Sequence, residues 1–232
     1  MAHEIKNPLS SLQTFTRLVT RKFNDQRFRE TFERVVPQEL DRINGIVDRL
    51  LELARPHRLS RKPVQVPALL ERVLDLYINQ IEAKQITVLR EYDPDFPAIQ
   101  GDAESLYQAF LNLVANALDA MGPGGRLTLR TGWSEDKDGF PLARRAATRG
   151  VKVEIEDTGS GISLQAADRI FNPFFTTKQG GTGLGLALAH KIIEDHGGSI
   201  TFSSSPGVGT TFRLLLPVMD QRPAGRLGAD VP

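Results

Sequence analysis

Val151-Lys152-Val153-Glu154-Ile155-Glu156-Asp157-Thr158-Gly159-Ser160-Gly161-Ile162 alternates apolar and charged residues over six positions and then breaks into a glycine-rich turn. Alternation of this kind is the period of a strand with one buried and one solvated face. The same signature recurs on both sides. Arg126-Leu127-Thr128-Leu129-Arg130-Thr131 alternates after a Gly-Pro-Gly-Gly turn, and Ser199–Ser203 and Thr210–Leu216 flank Pro206-Gly207-Val208-Gly209. These strands come in hairpin pairs, with a further strand at 86–90, so the sheet is mixed or antiparallel. Helical patterns over Pro67 to about Lys84, Ala103–Met121 and Gly183–His196 supply one covering layer, the last stopped by Gly197-Gly198. The fold class is therefore α+β, a sandwich of mixed sheet and helices rather than a dinucleotide-binding fold. Between the strands at 126–131 and 151–156, the segment Trp133–Arg149 is charged and patternless and reads as an insertion in a hairpin.

A different period precedes this domain. Val36, Leu40, Ile43, Val47, Leu50 and Ala54 step by four, three, four, three and four, a heptad seam of packed helices. Ile5, Leu9, Leu12, Thr16 and Val19 repeat the steps more weakly, widened by Phe15 and Leu18. Asn24-Asp25-Gln26 is the turn between the two helices, and Pro37 is expected to start or kink the second. An antiparallel hairpin this long buries little alone, so a second copy is expected to complete a four-helix bundle; the plainer alternative is a hairpin packed on its own neighbouring domain. The organisation is then a helical hairpin over 1–55, a basic, proline-bounded linker over 56–65, an α/β domain over 66–217, and a tail over 218–232 whose Pro, Gly and charge predict disorder.

Composition narrows the function. Lys and Arg total 29 against 28 Asp and Glu, a net charge of +1 that favours neither nucleic acid nor an anionic membrane as partner. Cysteine is absent, which excludes disulfides, thiolate metal sites and thiol catalysis. No stretch approaches the roughly 18 apolar residues of a membrane span, and no signal peptide opens the chain. A cytoplasmic location is expected, with any membrane attachment made through a sensor region outside this chain. Met1-Ala2 runs at once into a helical pattern, which suggests a core cut from something longer.

Four stretches carry chemistry. In His3-Glu4-Ile5-Lys6-Asn7-Pro8-Leu9, His3 and Asn7 share a helical face, Glu4 can orient the imidazole and take its proton, and Pro8 loosens the helix. Taken alone, the heptapeptide reads somewhat better as a surface histidine with a chance neighbour. In Asn112-Leu113-Val114-Ala115-Asn116-Ala117-Leu118-Asp119-Ala120, the polar residues Asn112, Asn116 and Asp119 fall at i, i+4 and i+7 on an otherwise apolar helix. Buried polar groups need partners, and phosphates with Mg²⁺ would serve, as would internal amide pairing. Asp157, Gly159, Gly161 and Ile162 follow a strand. Glycines there allow a flat ligand close to the backbone, and Asp157 can accept from an exocyclic amine such as adenine presents, although Asp-Thr-Gly-Ser is also a plain turn. Gly181-Thr182-Gly183-Leu184-Gly185 opens a helix whose N-terminus suits phosphate, and Lys178 just before it can reach a terminal phosphate. His57, His190 and His196 have no metal-ligand spacing and read as structural or surface residues.

Together these stretches resemble the sensor histidine kinases. His3–Leu9 is similar to the family's H-box, Asn112–Ala120 to its N-box, Asp157–Ile162 to G1, Ile170–Phe175 to the F-box and Gly181–Gly185 to G2, in the family's order. The wording Asn116-Ala117-Leu118-Asp119-Ala120-Met121 resembles the nitrogen-regulation and dicarboxylate-sensor branch. The resemblance implies a Bergerat-type ATP site joined to a dimerising, phosphoaccepting hairpin. It implies Asn116 as the Mg²⁺ ligand, Asp157 as the adenine reader, Asn112 and Lys178 on phosphates, 172–182 as a mobile lid, and Thr210 near the lid and phosphates. His3 would attack the γ-phosphate with Glu4 as base, and Asn7 would position water when a response-regulator receiver domain is dephosphorylated. Asp119 departs from the lysine many members carry, the 133–149 insertion matches no box, and the first helix is short by about two turns. Rival functions are an ATPase of the same nucleotide fold and a non-catalytic ATP-binding adaptor. Such ATPases resemble this chain at the N-box but carry a glutamate where it has Asn112, and an amide is no general base at neutral pH.

Overall fold

The computed structural model of the protein describes residues 2–54, 59–134, 150–178 and 181–218. In chain order the elements are α1 (Ala2–Lys22), α2 (Gln26–Ala54), β1 (Lys62–Val64), α3 (Val66–Leu76), α4 (Ile78–Ala83), β2 (Thr87–Tyr92), β3 (Ile99–Gly101), α5 (Ala103–Ala120), β4 (Arg126–Trp133), β5 (Gly150–Asp157), α6 (Leu164–Ala167), α7 (Gly185–Asp195), β6 (Ser199–Ser205) and β7 (Gly209–Pro217). The chain forms two units, residues 1–58 with 164–191, and residues 59–163 with 192–232.

In the first unit α1 and α2 pack as a hairpin. Asp25 caps α2: its Oδ1 accepts from the backbone N–H of Arg27 (3.0 Å) and Phe28 (3.4 Å), two of the donors a helix start leaves free. Phe15, Phe28 and Phe32 cluster with ring centroids 5.9–6.1 Å apart and tie the helices together near the turn. Pro37 does not start α2, which leaves the kink as the other effect expected of it. It lies inside a 29-residue helix, where the one backbone bond it removes is outweighed by the bonds on either side. Several seam residues stay exposed, among them Leu9, Leu40 and Val47, as does Leu51 beside the seam.

The second unit is built on a five-stranded sheet ordered β2-β4-β5-β7-β6. β2 and β4 are parallel and the other neighbours antiparallel, so the sheet is mixed as expected. Along β5, Val151, Val153, Ile155 and Asp157 are buried, while Lys152, Glu154 and Glu156 point the other way. The outward row is charged: Arg130 bridges Glu91 and Glu156, and Arg213 pairs with Glu154 at 2.9 Å. The inward row meets α5, whose Leu106, Ala109, Phe110, Leu113, Val114, Ala117 and Leu118 are buried at helical spacing, with α3 packed beside it.

Three local features differ from expectation. The helix expected from Pro67 to Lys84 is two helices, broken at Tyr77, whose N–H is shared between Val73 O (3.3 Å) and Leu74 O (3.1 Å). Lys62–Val64, read as linker, pairs antiparallel with Ile99–Gly101. The final helix begins at Gly185 rather than Gly183. Most of the insertion (135–149), part of the linker (55–58) and the tail beyond 218 lie outside the described residues.

A clasp joins the start of this unit to two helix ends. Asp102 caps α5, accepting from Ser105 N (3.1 Å) through Oδ1 and from Ser60 N (3.0 Å) through Oδ2. The Asp102 N–H donates to Nε2 of buried His196 (3.0 Å), while Nδ1 of His196 lies 2.7 Å from Ile192 O. With Nε2 accepting, the proton sits on Nδ1 and the ring is neutral. Arg61 donates to Asp195 O at 3.2 Å, beside the ring. Burial lowers the pKa of His196; the bond to Ile192 O opposes this, Arg61 adds to it, and Asp102 and Asp195 oppose it.

A lowered folded pKa means that the unfolded chain binds the proton first. The contribution of His196 is thus complete above its ordinary value of about 6.5 and is lost as pH falls from there through the folded value. Asp102, whose pKa is lowered chiefly by the Ser105 backbone bond, holds its contribution until lower pH. His196→Leu is expected to cost about 1–3 kcal/mol by orphaning the Asp102 N–H. Urea midpoints measured from pH 8 to pH 5 should fall more steeply for the wild type than for this variant.

Candidate functional site

The expected residues of the second unit come together where β5, α5 and the β6–β7 hairpin meet. Asp157 is the last inward residue of β5, opposite Leu127 of β4 and Thr210 of β7. The pleat therefore places a carboxylate in line with Val153 and Ile155, and its residue is only 3% exposed. Its Oδ1 accepts from Gly159 N at 2.8 Å, which curls the following loop back over the strand end. Ser160 N donates to Ala120 O (3.0 Å), setting the loop on the C-terminus of α5, and Gly207 N donates to Ser160 O (2.8 Å) from the hairpin side.

This packing explains the glycines more directly than ligand approach does. Gly209 has φ of +142°, and a Cβ there would lie 2.0 Å from the carbonyl oxygen of Asp157. Gly159 and Gly161 likewise lie against protein backbone, at Ala120 and Ser205. Ser204, which sequence reasoning missed, joins these pieces. Its hydroxyl accepts from Ile162 N (2.8 Å), donates to Gly209 O (3.0 Å) and lies 2.9 Å from Thr210 Oγ1. A serine inside Ser203-Ser204-Ser205 carries no local signal for that role.

Asn112 and Asn116 are half-buried on α5, and Asp119 is exposed in its last turn. The Nδ2 of Asn112 is buried without a hydrogen-bond partner. A buried amide donor left unmade costs about 1–3 kcal/mol, so an oxygen acceptor is called for at this position. A phosphate oxygen meets that need, whereas a cation does not pair with an N–H group. The carboxamide oxygen of Asn116, one turn on, is the type of ligand a hard cation takes, and phosphates and water can complete its shell. Among the described residues no cluster of three or more His, Asp or Glu side chains could hold a metal by itself.

The remaining expected residues lie in the first unit. Phe174 adopts φ of +67°, unusual for a side chain with Cβ, and its N–H donates to Gly183 O at 2.9 Å. Gly183 is also left-handed, with φ of +62°, and a Cβ would sit 2.5 Å from the Phe174 carbonyl carbon. These two residues close the neck of a loop that holds Lys178, Gly181 and Thr182. Inside it Lys178 N donates to Thr176 Oγ1 (3.1 Å) and Gly181 N to Lys178 O (3.2 Å); Gln179 and Gly180 lie outside the described residues. Leu184 is fully buried and its carbonyl accepts from Leu188 N at 2.9 Å, the first bond of α7, which starts at Gly185. Arg169 stacks on Phe175 at 4.5 Å, and Phe171 packs against His190. His3, Glu4 and Asn7 fall on the first two turns of α1.

A family model described as the histidine kinase-, DNA gyrase B- and HSP90-like ATPase matches residues 101–220, and one described as the His Kinase A (phospho-acceptor) domain matches residues 1–58. The chain belongs to the sensor histidine kinases. The sensory histidine kinase/phosphatase NtrB of Klebsiella oxytoca is 36% identical over 94% of this chain and 60% of its own length, in keeping with the branch that the 116–121 wording resembles. Among solved structures, full-length ShkA in complex with AMPPNP superposes with a TM-score of 0.67 at 26% identity, over 82% of this chain and 39% of that one. The histidine kinase ThkA in complex with the response regulator protein TrrA gives 0.70 at 26% identity, over 93% of this chain and 59% of that one. The chain spans about a third to three fifths of the length of the curated kinases it matches.

Gly209→Ala in this kinase is expected to cost about 3 kcal/mol or more, because both φ and the Asp157 carbonyl oppose the methyl. Gly122→Ala, where nothing lies within 4 Å, is the control and should shift stability by less than about 0.5 kcal/mol. Chemical denaturation of the two variants checks this.

Proposed function

We propose that this chain binds ATP, transfers the γ-phosphate to His3, and passes it to the aspartate of a response-regulator receiver domain. The observation that carries the proposal is Asn112: its buried amide donor has no partner within the protein, and it is not a carboxylate. The donor suits a phosphate oxygen. The missing carboxylate leaves water without a general base at the place where hydrolysing relatives of this nucleotide fold keep a glutamate. A protein acceptor is then favoured over water, and the match of residues 1–58 to a phospho-acceptor domain supplies one.

In this scheme a ring nitrogen of His3 attacks the γ-phosphorus, a P–N bond forms, the bond to the β-phosphate oxygen breaks, and ADP leaves. Glu4 takes the imidazole proton. Asp157 would receive the adenine amine, Asn112 and Lys178 would hold phosphate oxygens, and the 181–185 stretch at the start of α7 would lie by phosphate. Gly159, Gly161, Ile162 and Thr210, with Asp119 at the end of α5, would border the nucleotide in the second unit, and Leu184 belongs to the phosphate-side stretch of the first. Asn116 would hold Mg²⁺, which neutralises phosphate charge when bound. Asn7 positions water for dephosphorylation of the regulator, consistent with a relative named kinase/phosphatase. The exposed seam residues Leu9, Leu40 and Val47 suit pairing with a second copy, giving a homodimer. No helix among the described residues is long and apolar enough to cross a membrane. A cytoplasmic location follows in this proposal, with any membrane attachment through a region outside the chain.

With γ-radiolabelled ATP and Mg²⁺, the chain should acquire acid-labile, base-stable label. His3→Gln should lose the label and keep nucleotide binding, and Glu4→Gln should slow labelling by about a hundredfold or more. Phosphate release that needs neither residue would make the chain an ATPase. Tight nucleotide binding with neither activity would make it an adaptor.

A further inference from the structure

We propose that Lys84 is a positioning residue for the nucleotide site, holding the end of α5 so that the Asp157–Gly161 loop has a fixed seat. The inference rests on the proposed ATP site and names a residue that lies in none of its motifs. Lys84 follows the last residue of α4. Its place is set by the end of that helix: Gln85 adopts φ of 52°, Gln85 N donates to Glu82 O (2.9 Å), Ile86 N reaches back to Ile81 O (2.9 Å), and Ile81 and Ile86 are both buried. This paired ending fixes the backbone from which the lysine projects.

From there the ammonium crosses to α5. Lys84 Nζ donates to Leu118 O at 2.6 Å and to Met121 O at 3.1 Å, while Lys84 O accepts from Gly124 N at 2.8 Å. The last carbonyls of a helix have no partner within it and carry the negative end of its dipole, so a cation with two donors suits them. Of the other carbonyls in that turn, Ala117 O takes Met121 N and Ala120 O takes Ser160 N of the Asp157–Gly161 loop. Lys84 and Ser160 therefore divide one helix terminus between them. The lysine holds Leu118 and Met121 from behind, and the loop docks on the residue between.

The loop's seat is thus only as fixed as the turn beneath it. Losing Lys84 frees two carbonyls, lets the last turn fray, and moves Ala120 O, on which Ser160 and through it the spacing of Asp157 to Gly159 depend. Since this loop faces the base, the same in ground and transition states, the loss falls on binding rather than on phosphoryl transfer.

The test uses the full chain. Lys84→Met keeps the stem and removes the donors, Lys84→Arg keeps donors and charge, and Lys84→Gln keeps one amide donor. Titration calorimetry with Mg-ADP should show Lys84→Met weaker by about tenfold. Its KM for ATP in autophosphorylation should rise by the same factor, with kcat at saturating ATP within about twofold of wild type and Lys84→Arg recovering most of the loss. A Lys84→Met chain that melts earlier yet keeps ADP affinity and KM within about twofold overturns the inference and leaves Lys84 a stability residue only. If Lys84→Met does not fold, the wild type, Arg and Gln forms decide: affinity falling in that order supports the inference, and equal affinity overturns it. Wild-type chain that binds no ADP overturns the proposed nucleotide site and this inference together.

Discussion

The second unit of this protein depends on a close backbone approach. The loop after β5 is held between the C-terminus of α5 and the β6–β7 hairpin with no room for a Cβ where they touch. Gly209 lies against Asp157 O, Gly159 against Ala120, and Gly161 against Ser205. Asp157 is thereby fixed in direction as well as depth: the strand pleat turns it inward, and its bond to Gly159 N keeps one oxygen engaged with its own loop. The glycines in this motif serve the protein's internal packing, which allows the same loop to present a flat, unhindered wall.

A second layer of residues holds that arrangement from outside. Ser204 joins Ile162 to Thr210, Lys84 ties down the last turn of α5, and the Asp102–His196 pair ties its first. The helix that carries Asn112, Asn116 and Asp119 is therefore anchored at both ends by side chains distant in sequence. Between those ends its apolar face is buried on the sheet, so the orphaned Nδ2 of Asn112 sits on a rigid support. A rigid support raises the cost of leaving that donor unmade, since the helix cannot shift to relieve it.

Much of this was legible from local pattern. The alternation of β4, β5 and β7 and the helical spacing of α5 gave the mixed sheet and its covering layer, Asn112, Asn116 and Asp119 stood out as polar residues on an otherwise apolar helix, and Asp157 stood out by its place between a strand and a glycine-rich turn. Other features depend on contacts that no local period encodes. The three-residue strands β1 and β3 are too short to alternate visibly and exist because residues 62–64 and 99–101 meet. The break at Tyr77 leaves the apolar spacing on either side intact. The turn read at 24–26 marks the start of α2, where Asp25 caps it, whereas Pro37, a second local signal for a start, lies inside the helix. Ser204, Lys84 and His196 act 42, 34 and 94 residues away from their partners, so their roles could be read only from the folded chain.

The strand order has a consequence for how the protein comes into being. The central strand β5 gains its second neighbour only from β7, and the loop beyond it is buttressed by Ser204 and Gly209. During synthesis the N-box helix and Asp157 emerge well before the residues that seat them, and the Asp102 N–H waits for its acceptor, His196. A nascent chain lacking β7 would hold Asn112, Asn116 and Asp157 and still lack the strand that pairs with β5 and the glycine that packs on Asp157 O. The seating of Asp157 is therefore a late event in synthesis, made only when residues 204–217 have emerged.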